Sequence, residues 1–393
     1  MACRAMAIWD DGYLAYDFGD HPFSPVRQDL TMRLARELGV LDKLEIAPAA
    51  AATEAQLLTV HDAEYLGAVR RASVEPAFTG FGLGTDDDPV FPGMYDAAAL
   101  LAGGSAEAAR QLMAGAAEHV VNIAGGLHHA MRGYAAGFCI FNDIVLAINT
   151  LLDGGARKVA YVDVDVHHGD GVQAAFDGDP RVMTVSLHQD PRTLFPGTGM
   201  PSECGTGAAK GTKVNVALPP GTDDAGWLRA YHAVVPAAVR AFAPDVLVTQ
   251  CGCDTHHEDP LASLELTVDG QRAAIHSLHE LAHQASGGRW LALGGGGYAT
   301  LRCVPRTWTN LLAEAAGCPI DPATEIPAAW IDHVRGRGVG AELPDRMGEL
   351  RDPRSLRYRP WAPDGQTWLD RAIGSTRNVV FPLLGLDPSD PDE

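Results

Sequence analysis

The chain has 393 residues, 46% hydrophobic and 20% charged, with 50 acidic against 30 basic side chains and a formal charge of −20. At about 150 residues per domain, two or three domains is the prior, though α/β folds often exceed that size as one unit. A charge of that sign repels phosphate backbones and anionic membrane surfaces, and no Lys/Arg run offsets it, so neither nucleic acid nor membrane is expected as a partner.

The first 20 residues carry Asp10, Asp11 and Asp17 and lack a continuous apolar stretch, so they do not read as a signal peptide. Residues 31–41 and 54–72 have amphipathic helical spacing and flank an Ala-rich linker at 47–52; Asp86, Asp87 and Asp88 before Pro89 read as an acidic loop. From about residue 118 to 316, short apolar runs at 119–124, 159–166, 181–187, 245–251 and 289–293 alternate with helical patterns at 142–152, 171–176, 223–242 and 268–285. That alternation predicts a single-domain α/β fold around a parallel sheet with helices on both faces. The tail, 321–393, is Pro-rich and polar and is expected as an irregular extension packed on the 1–320 domain, frayed over 387–393. Seven scattered cysteines (Cys3, Cys139, Cys204, Cys251, Cys253, Cys303, Cys318) include no Cys-x-x-Cys pair, which suits a reducing compartment. No apolar run is long enough to span a membrane. The expectation is a cytoplasmic protein.

Polar and glycine-rich clusters follow four of the predicted strands: Gly125–His129, Asp163 to Asp170, Gln250–Asp254 and Gly294–Tyr298. In parallel α/β sheets ligands bind beyond the carboxyl ends of strands, so the four should meet in one crevice. Asp163, Asp165 and His167 alternate, which on a strand puts them on one face. Carboxylates buried there need a compensating charge. A divalent cation bound by oxygen and imidazole supplies it, with Asp254 completing the set and zinc or ferrous iron as the fitting ions. The alternative is a set of polar residues satisfied by hydrogen bonds at strand ends. The tandem His128–His129 suggests proton transfer. The run Gly294–Gly297 lacks the Lys-Ser/Thr of a phosphate loop and reads as backbone approaching the cation, with the Tyr298 phenol at the wall. His256 and His257 have no assigned role.

The segments 125–130, 137–139, 142–143, 163–171, 195–199 and 294–298 together resemble the signature segments of zinc-dependent histone deacetylases, in order, over roughly residues 10 to 315. The similarity is to the class I-like branch, and at 254–261 to its bacterial acetoin-utilization members. The resemblance implies the arginase/deacetylase-like fold and Asp165, His167 and Asp254 as zinc ligands. It implies His129 as general base oriented by Asp170, and His128 as a charged partner oriented by Asp163. Tyr298 would donate to the oxyanion. A structural potassium ion is implied at Asp163, Asp165, His167, Ser186 and Leu187. Phe138 and Phe195 would wall a substrate tunnel with Gly137 and Gly296, Leu261 at its rim and Asp87 at its mouth; Arg27 would line an acetate exit. The implied activity is hydrolysis of ε-acetyl-lysine in acetylated proteins, metabolic enzymes such as acetyl-CoA synthetase among them. Acetylpolyamine hydrolysis is a second reading, encouraged by the acidic mouth loop. A non-catalytic acyl-lysine binder is the alternative outside enzymology.

Overall fold

A computed structural model describes residues 4–338, 340–350 and 353–392; Cys3 and Glu393, named above, lie outside the described residues. Eight strands form one sheet: β1 (Ala5–Ile8), β2 (Glu45–Ala47), β3 (His119–Asn122), β4 (Val159–Asp163), β5 (Val182–Gln189), β6 (Lys213–Leu218), β7 (Val246–Gln250) and β8 (Trp290–Leu293). Their order is β2-β1-β3-β8-β7-β4-β5-β6 and every pairing is parallel. The helices are α1 (Val26–Glu37), α2 (Glu54–Leu57), α3 (Ala63–Ala72), α4 (Met94–Met113), α5 (Asp143–Asp153), α6 (Asp170–Phe176), α7 (Asp224–Phe242), α8 (Val268–Ser286), α9 (Val304–Ala315), α10 (Ala328–Gly336) and α11 (Trp368–Leu384).

The strands are apolar on both faces because helices cover both. Ala160 and Val162 pack into one core with Trp227, Leu278 and Trp308, while Val159 and Tyr161 pack into another with Leu101, Ile144 and Ile148. This alternation repeats at Leu247 against Val246 and Val248, and at Trp290 against Leu291. It is the period of two expected of a strand buried on both sides. The sheet and its two layers of helices therefore form a single α/β domain.

The five expected strands are present and three more join them. β1 is an apolar run of only four residues, β2 is a three-residue edge strand with exposed residues, and β6 interleaves Lys213 and Asn215 with its valines, so none stands out as a strand in the sequence. Lys213 is buried by donating Nζ to the Val182 carbonyl at 2.6 Å. The helix expected over 54–72 is two, α2 and α3. The 31–41 pattern is the later part of a helix that begins at Val26 and stops at Glu37.

The tail is less irregular than its composition suggests. Trp330 and Val334, four apart on α10, bury against Leu30 and Leu34 of α1, and Trp330 Nε1 donates to the Leu30 carbonyl at 2.9 Å. α11 starts at a capping box between Thr367 and Asp370 and lies on α7 and β6, burying Ile373, Val380 and Phe381. Among the described residues no helix is long and apolar enough to cross a membrane.

Candidate active site and metal centre

The loops leaving the carboxyl ends of β3, β4, β7 and β8 meet around a cavity of about 220 Å³. Its lining includes His128, His129, Asp165, His167, Gly296 and Tyr298, together with Phe138, Phe195, Leu261 and the exposed Asp87.

The segment after β4 corrects one expectation. Asp163 is the last residue of the strand; Asp165 and His167 lie in a bend beyond it rather than along one strand face. Carboxylates capture the amides that would have continued the ladder. The Asp165 N–H donates to Asp163 Oδ1 (3.1 Å), Val166 N–H to Asp254 Oδ1 (2.8 Å) and His167 N–H to Asp165 Oδ1 (3.0 Å). The bend brings His167 Nδ1 within 3.0 Å of Asp165 Oδ1 and 3.2 Å of Asp254 Oδ2.

These three residues fit a divalent cation. One donor atom from each lies within 4.8 Å of the others, and among the described residues this is the one such His/Cys/Asp/Glu cluster whose three members are all buried. Burial and the neighbouring Asp165 charge push Asp254 up to about 8, outweighing the opposite pull of His167, as expected of two carboxylates crowded into one buried site. Space is kept beside them: a Cβ on Gly296 would come 2.0 Å from Asp254 Oδ2 and 2.9 Å from Asp165 Oδ2. Asp165 Oδ2 also accepts from Gln250 Nε2 (2.7 Å) and from the Gly296 N–H (2.9 Å). Gln250, which the sequence places in the crevice without a role, thus holds one of the site's carboxylates.

The adjacent histidines sit with ring centroids 4.0 Å apart and differ in their partners. His128 Nδ1 is 2.8 Å from Asp163 Oδ2, and His129 Nδ1 is 2.7 Å from Asp170 Oδ1. Burial opposes charge on His128, but Asp163 and Asp165 outweigh it and raise its pKa to about 9. Burial and the His128 charge lower His129 to about 4. One ring is therefore cationic and its neighbour neutral. Asp163 is pinned further by the Tyr161 hydroxyl at 2.5 Å, another contact absent from the sequence reading. The loop itself is held by Asp143, which accepts from Gly126 and Leu127 N–H (2.7 Å to Leu127), and by Asn142, whose N–H donates to His61 Nε2 at 3.0 Å.

Tyr298 is half-buried near Asp254, Asp165 and Arg27, and desolvation of its phenol, with the Asp254 and Asp165 charges, holds its pKa well above the ordinary value, so it stays a donor. Its backbone N–H donates to Asp259 Oδ2 at 2.7 Å. Phe138 meets Tyr298 edge-on at 5.7 Å, and Phe195 meets His129 edge-on at 4.9 Å while remaining 46% exposed. A Cβ on Gly137, whose φ is +56°, would lie 2.5 Å from His129 Cδ2; glycine lets the wall close on the ring. Arg27 is 1% exposed and lies behind the Gly-rich segment, donating Nη1 to the carbonyls of Gly295 (3.1 Å) and Gly297 (2.9 Å). Ser186 and Leu187 are buried on β5, with Ser186 opposite Asp163 across the ladder and its Oγ 2.8 Å from His188 Nδ1.

The mouth is less acidic than its sequence. Asp88 turns inward, 2% exposed, and burial next to Asp87 pushes its pKa up to about 8, so it adds no full negative charge near neutrality. His256, unassigned from sequence, faces Glu349 at 3.0 Å and ties the tail to the site's outer loop.

Residues 21–315 match the family model for the histone deacetylase domain. The chain is 43% identical over 329 residues to the acetoin utilization protein AcuC of Bacillus subtilis (strain 168), covering 82% of this chain and 84% of that protein. It is 34% identical over 357 residues to AcuC of Staphylococcus aureus (strain MSSA476), covering 87% and 90%, and 32% identical over 329 residues to AcuC of Staphylococcus xylosus, covering 82% and 85%.

Proposed function

The chain belongs to the histone deacetylase family, and from that premise we propose that it is a metal-dependent amidohydrolase removing acetyl groups from lysine ε-amines of proteins. The single observation that carries the reading is the convergence, around one cavity, of the buried Asp165–His167–Asp254 triad with a cationic and a neutral histidine and the half-buried Tyr298 phenol. Asp165, His167 and Asp254 would hold the cation, zinc or ferrous iron by donor type. When bound, it would polarise the amide carbonyl and acidify water in the cavity.

The chain's own residues supply the rest. His129, neutral and with Nδ1 committed to Asp170, takes the attacking water's proton at Nε2. As the carbonyl carbon becomes tetrahedral its oxygen gains negative charge, and the Tyr298 hydroxyl donates to it. His128 remains cationic against Asp163 and lowers the energy of that charge. The C–N bond then breaks as the proton on His129 passes to the departing amine nitrogen, releasing acetate and the free amine. Phe138 and Phe195 flank the methylenes of the lysine side chain and exclude water, and Asp87 stands where a peptide N–H would arrive. Arg27, buried against the Gly295 and Gly297 carbonyls, offers a guanidinium behind the floor for the acetate product.

A protein lysine suits the mouth better than a polyamine, because Asp88 contributes no full negative charge there. The test is acetate release from an acetyl-lysine peptide and from acetylputrescine side by side. Turnover of the peptide at the higher kcat/KM supports the reading. Turnover of acetylputrescine alone moves the substrate class to small molecules, and silence on both contradicts the proposal.

A further inference from the structure

A second convergence of imidazoles lies at the opposite, amino-terminal edge of the sheet, away from the cavity. His119 opens β3 and pairs in register with Trp290, the first residue of β8. His279 and His283 are four apart on α8 and so share a face. Glu314 and Ala315 end α9 beside them.

The hydrogen bonds fix which nitrogens are available. His119 Nδ1 lies 2.8 Å from the Ala315 carbonyl, which can only accept, so Nδ1 carries the proton and Nε2 the lone pair. That Nε2 is buried on a residue 1% exposed and has no hydrogen-bond partner. His279 repeats the arrangement: Nδ1 is 2.8 Å from Glu314 Oε1, which leaves Nε2 as the acceptor atom. His279 Nε2 in turn lies 3.0 Å from His283 Nε2. The ring of His119 stands 4.7 Å from that of His279 and 5.2 Å from that of His283, and one nitrogen of each residue lies within 4.8 Å of the others. Trp290 stacks on His279 at 5.4 Å and holds the ring in place.

We propose that His119, His279 and His283 form a second cation site, for a divalent transition ion of the imidazole-seeking kind (zinc, cobalt, nickel or copper), bound through Nε2 of His119 and of His279 and through a ring nitrogen of His283, the proton that His283 Nε2 now donates to His279 being displaced when the ion binds. The donor set selects for these ions over magnesium or calcium, which take oxygen. The Ala315 carbonyl and the Glu314 carboxylate are the outer acceptors that orient ligating imidazoles and fix their tautomers. Burial favours the neutral form of Glu314, but its hydrogen bonds to His279 and His276 hold the carboxyl below its ordinary value, so it is available as an anion. Two rings are held rigidly and the third, His283, sits on the exposed side and offers the entry path. An ion there would clamp β3 to α8 beside the end of α9. This site is independent of the hydrolytic reading, since it uses none of the cavity residues.

The test is metal content of the full chain after equilibration with micromolar Zn²⁺ and desalting, compared with His283→Gln, His279→Gln and His276→Gln. The expected result is one equivalent fewer in His283→Gln and in His279→Gln than in the unaltered chain, with no loss in His276→Gln. Glu314→Gln should weaken the same equivalent by roughly ten- to a hundred-fold. Thermal unfolding guards against misfolded variants: Zn²⁺ should raise the Tm of the unaltered chain by more than that of His283→Gln. Equal metal content and an equal Tm rise in the unaltered chain and His283→Gln overturn the proposal, as does an equivalent that appears only at millimolar metal.

Discussion

The two edges of the sheet use the same side-chain chemistry to opposite ends. At the carboxyl edge two of the three proposed cation donors are buried carboxylates, and glycine backbone is packed against them. At the amino edge all three donors are imidazoles, the acidic residue stands behind them, and one ring is exposed. In both places an oxygen accepts from an Nδ1–H and leaves Nε2 as the working atom: Asp170 does so for His129 and the Ala315 carbonyl for His119. The difference is what surrounds that atom. Around His129 there is a cavity with a phenol and two aromatic walls, so the lone pair can take a substrate's proton. The His119 ring meets the rings of His279, His283 and Trp290 and lines no such cavity, so its lone pair faces a place to bind rather than a substrate. A histidine's role is thus set by what its second nitrogen faces.

The largest effect that would break this comparison comes from the carboxyl edge. Asp254→Asn removes one of two buried charges and should abolish both tight metal binding there and acetate release; metal analysis with a rate assay checks it, and retained turnover would remove Asp254 from the donor set. His129→Ala should lower kcat by ~10²–10⁴-fold, the usual worth of a general base, with metal content unchanged; metal loss instead would make His129 a ligand. Asp259→Asn leaves one acceptor oxygen where two backbone amides, those of Tyr298 and Leu261, now donate. It should cost about tenfold in kcat, less than removing the phenol, because it misplaces Tyr298 without deleting it.

His61 sharpens the comparison because it supports the carboxyl-edge loop without facing either cation site. Its Nδ1 faces the Met131 carbonyl at 2.9 Å and its Nε2 accepts from Asn142, so both nitrogens are used in the neutral ring. Burial lowers its pKa from 6.5 to about 4. Between those values the unfolded chain binds the extra proton and the folded one does not, so this contribution is intact above pH 6.5 and falls as the pH drops toward 4. The loss should reach roughly 3 kcal/mol. Denaturant midpoints at pH 7 and pH 4.5 check it; His61→Gln should show a shallower decline, and an unchanged slope would contradict the assignment. The smallest expected effect is that of His283→Gln on acetate release, which should stay unchanged.

What could be read from the sequence tracks how local each signal is. β4 and β7 were legible because both faces are buried and every residue is apolar until a chemistry-bearing one appears. β6 was hidden because Lys213 and Asn215 are satisfied by carbonyls and side chains distant in sequence. The 20-residue helix α4 gave little periodicity because small residues on nearly every side are buried. At the site, the order of the glycine, histidine and aspartate motifs sufficed to bring His128, His129, Asp165, His167, Asp254 and Tyr298 together. The supports, Gln250, Tyr161, Asp259 and His61, act through hydrogen bonds that span 2 to 85 residues of sequence, and their types are common in cores. Nothing in the pattern 163–167 announces that carboxylates would take its amides and bend it off the strand. Asp88 likewise reads as one more surface charge until its burial is seen.

The measurement that bears most directly on the central claim is kcat/KM for acetate release from one acetyl-lysine peptide by the unaltered chain and by Tyr298→Phe, with metal content determined on both. Equal metal content and a fall of ~10²–10³-fold, the cost of losing one oxyanion donor, are expected. Equal metal content with near-equal turnover would contradict that claim.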